Sequence, residues 1–350
     1  MRPSFDVLVA GGGPAGLAAA IHAANAGLHV GLVEPRAGTI DKACGEGLMP
    51  PALRALDALG ARPDAGYPFA GIRYLQGAWA TEARCPGGAH GLGVRRLALH
   101  DGLRARAAAV GVTFVEGRIA AVEQDEQGIR AGGHRARWLI AADGLASPLR
   151  RRMGLDLPAR AAPRIGLRRH FAVAPWSPYV EVWWGPSVEA YVTPVSPTEV
   201  GVAVLADARV GAGLEAERRF AHLLEQVPAL RDRLSDPTSA LRGAGPFERR
   251  VRRRVEGRVL FVGDSAGYLD PITGEGIRLG FDTAAAAVAA LRDERPERYE
   301  ADWWRITRSY RVLTGGLLRL AGQPRLRRLI VPGATLLPGV MRGILAVLSR

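Results

Sequence analysis

The chain has 350 residues, 48% of them hydrophobic and 23% charged, which is the make-up of a globular protein with enough core for two closely joined domains. Its formal charge is +13, yet Lys42 is the single lysine among 47 basic residues, and the arginines are scattered in short runs such as 150–152 and 252–254 without interleaved aromatics. That pattern is an arginine-for-lysine bias rather than a nucleic-acid surface. Cys44 and Cys85, the only cysteines, fit neither a metal spacing nor a disulfide framework, so no metal is expected and a reducing, cytoplasmic setting is the simplest.

Residues 5–10 are apolar except for Asp6 and predict a buried strand rather than a signal peptide. They run into Gly11-Gly12-Gly13-Pro14-Ala15-Gly16 and an alanine-rich helix over 17–26. This is the dinucleotide-binding fingerprint in the strand–turn–helix context it requires. Gly11 makes the tight turn, Gly13 lets a pyrophosphate approach the backbone, and Gly16 lets helix and strand pack closely. Pro14 suits a first helical turn, where its missing N–H costs nothing. A second strand over 29–33 ends in Glu34, 18 residues past Gly16, where an acid binds ribose hydroxyls.

A glycine-spotted loop over 37–47 precedes a helix over 51–59, and alternation predicts strands over 69–75 and 78–85. Helical spacing over 96–109 is followed by strands over 112–116 and 119–123, a hairpin near 125–128, and a buried strand over 138–142 that ends at Asp143-Gly144. The runs 164–174, 180–184, 189–195 and 199–205, separated by Pro, Ser and Gly, predict an antiparallel sheet. A last short strand over 259–262 meets Gly263-Asp264, and a helix starts near Gly274-Glu275-Gly276.

The fold class is therefore α/β (α+β): a Rossmann-like nucleotide-binding domain from residues 1–68, 93–160 and 250–296, an inserted antiparallel β-sheet substrate domain from 69–92 and 161–249, and C-terminal helices over 297–350. The apolar stretch 329–341 is too short to cross a bilayer. With Arg327, Arg328 and Arg342 beside it, that stretch either packs on the body of the protein or makes peripheral contact with a membrane.

Three segments carry a family resemblance: Gly11 to Gly16; Ala141-Ala142-Asp143-Gly144-Leu145-Ala146-Ser147-Pro148-Leu149-Arg150; and Gly263 to Gly280. They resemble the three signatures of the glutathione-reductase-type flavoproteins, which include class A aromatic hydroxylases, flavin-dependent halogenases and geranylgeranyl reductases. The resemblance spans nearly the whole chain. It implies non-covalent FAD, with Gly11, Gly13, Pro14, Ala15 and Gly16 at the pyrophosphate, and Glu34 at the adenosine ribose with Arg36 beside it. It further implies Asp143 and Arg150 in the Asp-Gly motif, Gly263 and Asp264 at the ribityl chain, and Gly274, Gly276 and Ile277 at the following helix start. An arginine at the start of the helix near 96 also contacts FAD in the family; Arg95 matches it better, with Arg96 the alternative. No second fingerprint follows a strand, so NAD(P)H is expected only as a transient reductant.

The branch of the family divides the expectation. Asp41-Lys42-Ala43-Cys44-Gly45-Glu46-Gly47 resembles the loop of geranylgeranyl reductases that passes near the isoalloxazine, which makes Cys44 and Gly45 cofactor neighbours and Cys44 a candidate proton donor. Hydroxylases carry histidine and asparagine where this chain has Gly267 and Arg278. The lipid motif of the reductases is absent, however, and so is the Trp-x-Trp-x-Ile-Pro of halogenases. Glu275 and Arg278 are further catalytic candidates. Arg169 and His170 are candidates for an acidic or phenolic substrate, and Trp183 and Tyr191 for lining an apolar pocket. The leading reading is an NAD(P)H-driven monooxygenase of an apolar aromatic or polyketide-like small molecule. The alternative is a geranylgeranyl-reductase-like ene-reductase of an isoprenoid or polyene C=C bond, and a flavin-binding sensor or carrier without turnover comes third. Oligomeric state is not readable from the sequence.

Overall fold

In the computed structural model, which describes residues 4–337, 339 and 343, β1 (Phe5–Ala10) leads through α1 (Pro14–Asn25) to β2 (Val30–Glu34). After a long loop come β3 (Gly47–Leu48), α2 (Pro50–Leu59), β4 (Tyr67–Phe69), β5 (Gly71–Gln76), β6 (Trp79–Arg84) and β7 (Gly91–Gly93). Then follow α3 (Arg96–Ala109), β8 (Thr113–Glu116), β9 (Val122–Asp125), β10 (Gly128–Ala131), β11 (His134–Ala141), α4 (Pro148–Arg152) and β12 (Asp156–Leu157). The inserted strands β13 (Arg164–Phe171), β14 (Val180–Trp184), β15 (Val188–Ser196) and β16 (Glu199–Asp207) precede α5 (Ala216–Leu224), α6 (Pro228–Arg231) and β17 (Arg242–Ala244). The chain closes with β18 (Arg250–Val251), β19 (Val255–Glu256), β20 (Val259–Phe261), α7 (Gly276–Arg292), α8 (Arg298–Ala321), α9 (Pro324–Arg327) and α10 (Ile330–Leu336).

The nucleotide-binding sheet has the order β19-β20-β11-β1-β2-β8, with β9 and β10 joined antiparallel to the first half of β11. Strands β20, β11, β1, β2 and β8 are parallel. Val7, Leu8 and Val9 are fully buried, as befits a central strand covered on both faces, and each such side chain contributes about 1.5–3 kcal/mol on leaving water. α1 packs between α7 and α3 over this sheet. Because the strands are parallel, Gly11, Glu34, Asp143 and Gly263 all fall at one edge, the carboxyl ends where ligands bind in open α/β sheets.

The second sheet runs β17-β13-β16-β15-β14-β5-β6. It is antiparallel as expected except where β14 pairs parallel with β5, a strand drawn from far earlier in the chain. One face of Val188, Ala190, Val192, Val200, Val202 and Val204 packs on Phe220, Leu223, Leu224 and Leu230 of α5 and α6. Those helices escaped the strand-based reading of the insert; the 220, 223, 224 spacing is their signature. The opposite face, with Val182, Trp184 and Leu205, meets Tyr268, Ile272, Leu279 and Tyr310. A small third sheet, β3-β7-β4, is wedged between the two large ones, and Gly93 lies so close to β15 that a Cβ there would sit 1.7 Å from the Pro194 carbonyl oxygen. The expected strand over 119–123 is instead β9, starting at Val122. Of the apolar stretch 329–341, residues 338, 340 and 341 lie outside the described residues.

Candidate functional site

The glycine turn is built as its spacing demands. Gly11 has φ 106°, and a Cβ on Gly16 would stand 1.9 Å from the Gly11 carbonyl oxygen, so helix and strand touch backbone to backbone. In front of Gly13 there is open space within 4 Å of a Cβ position. Pro14 opens α1, whose start has neither a side-chain cap nor an acidic residue in its first turn. Its free N–H groups and positive dipole end are therefore suited to an anion. Ala15 packs against Gly263 and Gly280 where α1 crosses α7. Glu34 accepts from the Gly12 amide at 2.8 Å and from Arg36 Nε at 2.7 Å. Burial alone would raise its carboxyl, but the Arg36 and Gly12 hydrogen bonds hold it below the usual carboxylate range.

Just past the end of β20, Gly263 (φ 60°) begins a short turn containing Asp264, whose carboxyl burial pushes up despite nearby Lys42 and Arg96. The ammonium of Lys42 lies 3.3 Å from where a Gly144 Cβ would be, and its charge acts on Asp264. Asp143 accepts from Ser147 Oγ at 2.6 Å and from the Leu149 amide at 3.1 Å, so its carboxylate shapes the turn into α4. Arg150 is fully buried; it donates to Asp156, Leu145 O and Ser265 O, stapling the Asp-Gly turn to the Gly-Asp turn.

The structure places Arg95 and Arg96 in different settings. Arg95 donates to Glu199 of β16 at 2.7 Å. Arg96 is 4% exposed, its Nη1 has no hydrogen-bond partner, and its charge acts on Asp264, Cys44 and Glu46. His100, one turn further on, bonds Gly12 O through Nε2 and leaves Nδ1 without a partner. A helix beginning at Arg96 makes Arg95 its N-cap and turns it outward, an orientation that a motif match one residue off cannot register.

Gly274 (φ 72°) closes the turn before α7, and Gly276 and Ile277 begin that helix, with a Gly276 Cβ position 3.3 Å from the Tyr268 hydroxyl. Glu275 and Arg278 are spent on each other: Arg278 grips Glu275 through two bonds of 3.1 Å and donates to Asp282 at 2.7 Å. At Gly267, φ is 126°, and a Cβ would meet Arg249 O and Trp303 at 3.4 Å. Those contacts are ordinary, but a histidine would be strained by the φ, which accounts for one departure from the hydroxylase pattern.

Two pairs expected to act together are separated by the sheet. Trp183 lies opposite Ala190 and Tyr191 opposite Val182, so the two aromatics emerge on opposite faces. Trp183 packs on the α5/α6 side and donates to Glu181 at 3.0 Å. Tyr191 reaches the 271–274 turn, donating to Ile272 O at 2.8 Å. The adjacent Arg169 and His170 diverge by the same period of two. Arg169 faces α5 and pairs with Glu217 at 2.6 Å, whereas His170 is fully buried against Glu46. Arg168, absent from the expected set, shares His170's face. Cys44 is half-buried and its thiol accepts from the Glu46 amide at 3.4 Å, while Gly45 O accepts from Thr193 Oγ at 2.7 Å. Burial pushes the Cys44 thiol up, against the pull of Arg96 and Arg168.

A parallel sheet whose carboxyl edge presents an uncapped helix start, an acid at the end of β2 and a neighbouring Gly-Asp turn defines a dinucleotide-binding flavoprotein fold. Residues 4–294 match the family of the FAD binding domain, and the chain belongs to it; it is an FAD-dependent oxidoreductase. The open space at Gly13, the uncapped start of α1, and the orphaned Arg96 Nη1 and His100 Nδ1 fit FAD. The chain is 29% identical to the menaquinone reductase of Mycobacterium tuberculosis over 322 residues, covering 83% of this chain and 77% of that one. It is 28% identical over 323 residues to digeranylgeranylglycerophospholipid reductase 1 of Methanothermobacter thermautotrophicus, covering 83% and 79%. In fold it is similar to the flavin-dependent brominase Bmp2, with a TM-score of 0.81 at 19% identity over 99% of this chain and 93% of that one.

Proposed function

We propose that the protein reduces carbon–carbon double bonds in the prenyl chain of an apolar lipid, in the cytoplasm. The observation that carries this reading is the Cys44 loop, which holds a protonated thiol between Arg96 on the cofactor side and Arg168 under the second sheet. The two reductase relatives are named for substrates with prenyl chains, which supports it. Bound FAD, reduced by NAD(P)H, supplies a hydride. The protein's own part is to bind the cofactor through Gly13, Glu34, Arg96 and Asp264, to exclude water, and to place a proton. Cys44 Sγ would give its proton to the alkene carbon that does not take up the hydride, and solvent would then reprotonate the thiolate. Arg96 and Arg168 stabilise that thiolate while it lasts.

Val312, Leu329, Leu336 and Leu337 are 61–72% exposed, with exposed Arg319, Arg325 and Arg328 on the same C-terminal helices. This surface suits peripheral docking on an anionic bilayer from which such a substrate would be drawn. No helix among the described residues is long and apolar enough to cross a membrane. Sedimentation with anionic but not neutral vesicles, lost in Leu336→Asp, is the expected result.

The deciding experiment is anaerobic. Pre-reduced protein mixed with a polyprenyl lipid should reoxidise without oxygen and yield the saturated product. Protein that stays reduced until air enters, and then hydroxylates an aromatic compound, would instead establish the monooxygenase reading. Cys44→Ser should slow reoxidation by about two orders of magnitude, the range of a positioned general acid.

A further inference from the structure

We infer that Arg168 and His170 of β13, closing on Asp41 and Glu46, are positioning residues that fix where the Cys44 thiol is held. The loop belongs to the cofactor-binding part of the chain, yet its fastenings come from the other sheet. Arg168 Nη2 donates to Asp41 at 2.6 Å and to Lys42 O at 3.0 Å, and Arg242 of β17 takes the second Asp41 oxygen at 2.8 Å. Thr193 of β15 holds Gly45 O. His170 Nε2 meets Glu46 Oε2 at 2.5 Å, while Glu46 Oε1 accepts from the Arg96 amide at 2.8 Å.

Glu46 is 4% exposed and sits at φ 60°, a left-handed conformation unusual for a side chain other than glycine, asparagine or aspartate. Such a residue persists where its surroundings over-determine it, and here every polar atom of Glu46 is engaged, its carbonyl accepting from the Val94 amide at 2.9 Å. The donors fix the state of the ring. Arg168 Nη1, which can only donate, lies 3.2 Å from His170 Nδ1, and Ser239 Oγ lies 2.8 Å from the same nitrogen. Nδ1 is thus the acceptor, and the ring proton is on Nε2, given to Glu46. Ser239 also accepts from the His170 amide at 3.1 Å, so it supports the ring from behind. β16 makes room for the pair with a glycine: a Cβ on Gly201 would fall 3.0 Å from Glu46 Oε2 and 3.4 Å from His170 Cδ2.

The consequence is mechanical. Glu46 is two residues from Cys44 and its amide donates to the thiol, so anything that lets Glu46 relax lets the thiol move. The charged and titratable groups that bear on Cys44 are Glu46 of its own loop, Arg96 of α3, Arg168 of β13 and Tyr268 of the turn before α7. All of them remain in a His170 variant.

The test is alkylation of the FAD-loaded, full-length protein with iodoacetamide across pH, with Cys44 and Cys85 resolved by peptide mass mapping. His170→Ala should move the Cys44 midpoint down toward that of an ordinary thiol and raise its rate at pH 8 tenfold or more. His170→Gln, which keeps an N–H donor for Glu46, should restore the native profile. Gly201→Ala, which displaces the same pair from the neighbouring strand, should move the profile as His170→Ala does and stands in for it if that variant does not fold. A native Cys44 profile in folded His170→Ala or Gly201→Ala overturns the inference, as does failure of His170→Gln to restore it. The inference rests on the assignment of Cys44 as proton donor, but its readout is thiol chemistry. Turnover that survives Cys44→Ser would remove that assignment and leave the alkylation result untouched.

Discussion

Replacing Arg96 by methionine should weaken FAD binding without weakening the protein that lacks FAD. Arg96 is buried, holds a hydrogen-bond donor with no partner, and has its guanidinium pulled below the usual arginine range by desolvation. An unsatisfied buried donor costs about 1–3 kcal/mol, and a hydrogen bond to a charged group contributes about 1.5–3 kcal/mol. Methionine keeps most of the aliphatic packing. The FAD-free variant should therefore show an unchanged or higher urea midpoint, while its dissociation constant for FAD rises about 10- to 150-fold. Arg95→Met is the control. Arg95 spends its charge on a half-exposed pair with Glu199, worth at most about 1 kcal/mol, so FAD affinity should change by less than about twofold. Titration calorimetry with FAD and urea unfolding of stripped protein supply both numbers. A larger affinity loss in Arg95→Met than in Arg96→Met, or a clear loss of stability in FAD-free Arg96→Met, would refute the reasoning.

Gly16→Ala brings a Cβ to 1.9 Å from a backbone oxygen that has nowhere to go; it should cost at least about 1–3 kcal/mol and abolish flavin retention, seen as colourless purified protein. Burial raises the Asp270 carboxyl from 3.8 to about 6, with Arg164 opposing and Glu189 adding to the shift. Between those values the folded state binds more protons than the unfolded one, so stability from this group is present below about pH 4 and falls as pH rises to about 6, by about 3 kcal/mol in all. Asp270→Asn should flatten that part of the stability–pH curve in urea titrations, and an unaltered slope would contradict the assignment. Tyr191→Phe should cost about 1 kcal/mol through loss of its bond to Ile272 O. Trp183→Phe, on the far face, should leave KM and kcat within about twofold in steady-state assays, since it packs on the α5/α6 side of the sheet.

Local patterns carried much of the design. The glycine turn, the end of β2 at Glu34 and the Gly263-Asp264 turn were legible as backbone features because each is set by residues adjacent in sequence, and the helix over 96–109 has the bounds its spacing indicates. What the sequence leaves open depends on faces and distant partners. A period of two sends Trp183 and Tyr191, or Arg169 and His170, to opposite sides of a strand, and nothing in their spacing says which side faces the nucleotide-binding domain. Arg168 and Glu46 stand 122 residues apart in number and are joined only by the fold. The parallel pairing of β14 with β5 is likewise invisible to local alternation.

The ammonium of Lys42 lies beside Gly144 of the Asp-Gly turn and its charge acts on Asp264 of the Gly-Asp turn, and the sequence contains no other lysine. The chain thus carries one side-chain amine, placed between the two turns through which we propose that the cofactor is held. An acylating dye, a spin label or an amine-reactive bead would attach at one side-chain position, and its yield would report how full the cofactor site is. An arginine-rich composition, of no functional weight in itself, has left the molecule with a built-in reporter of its own occupancy.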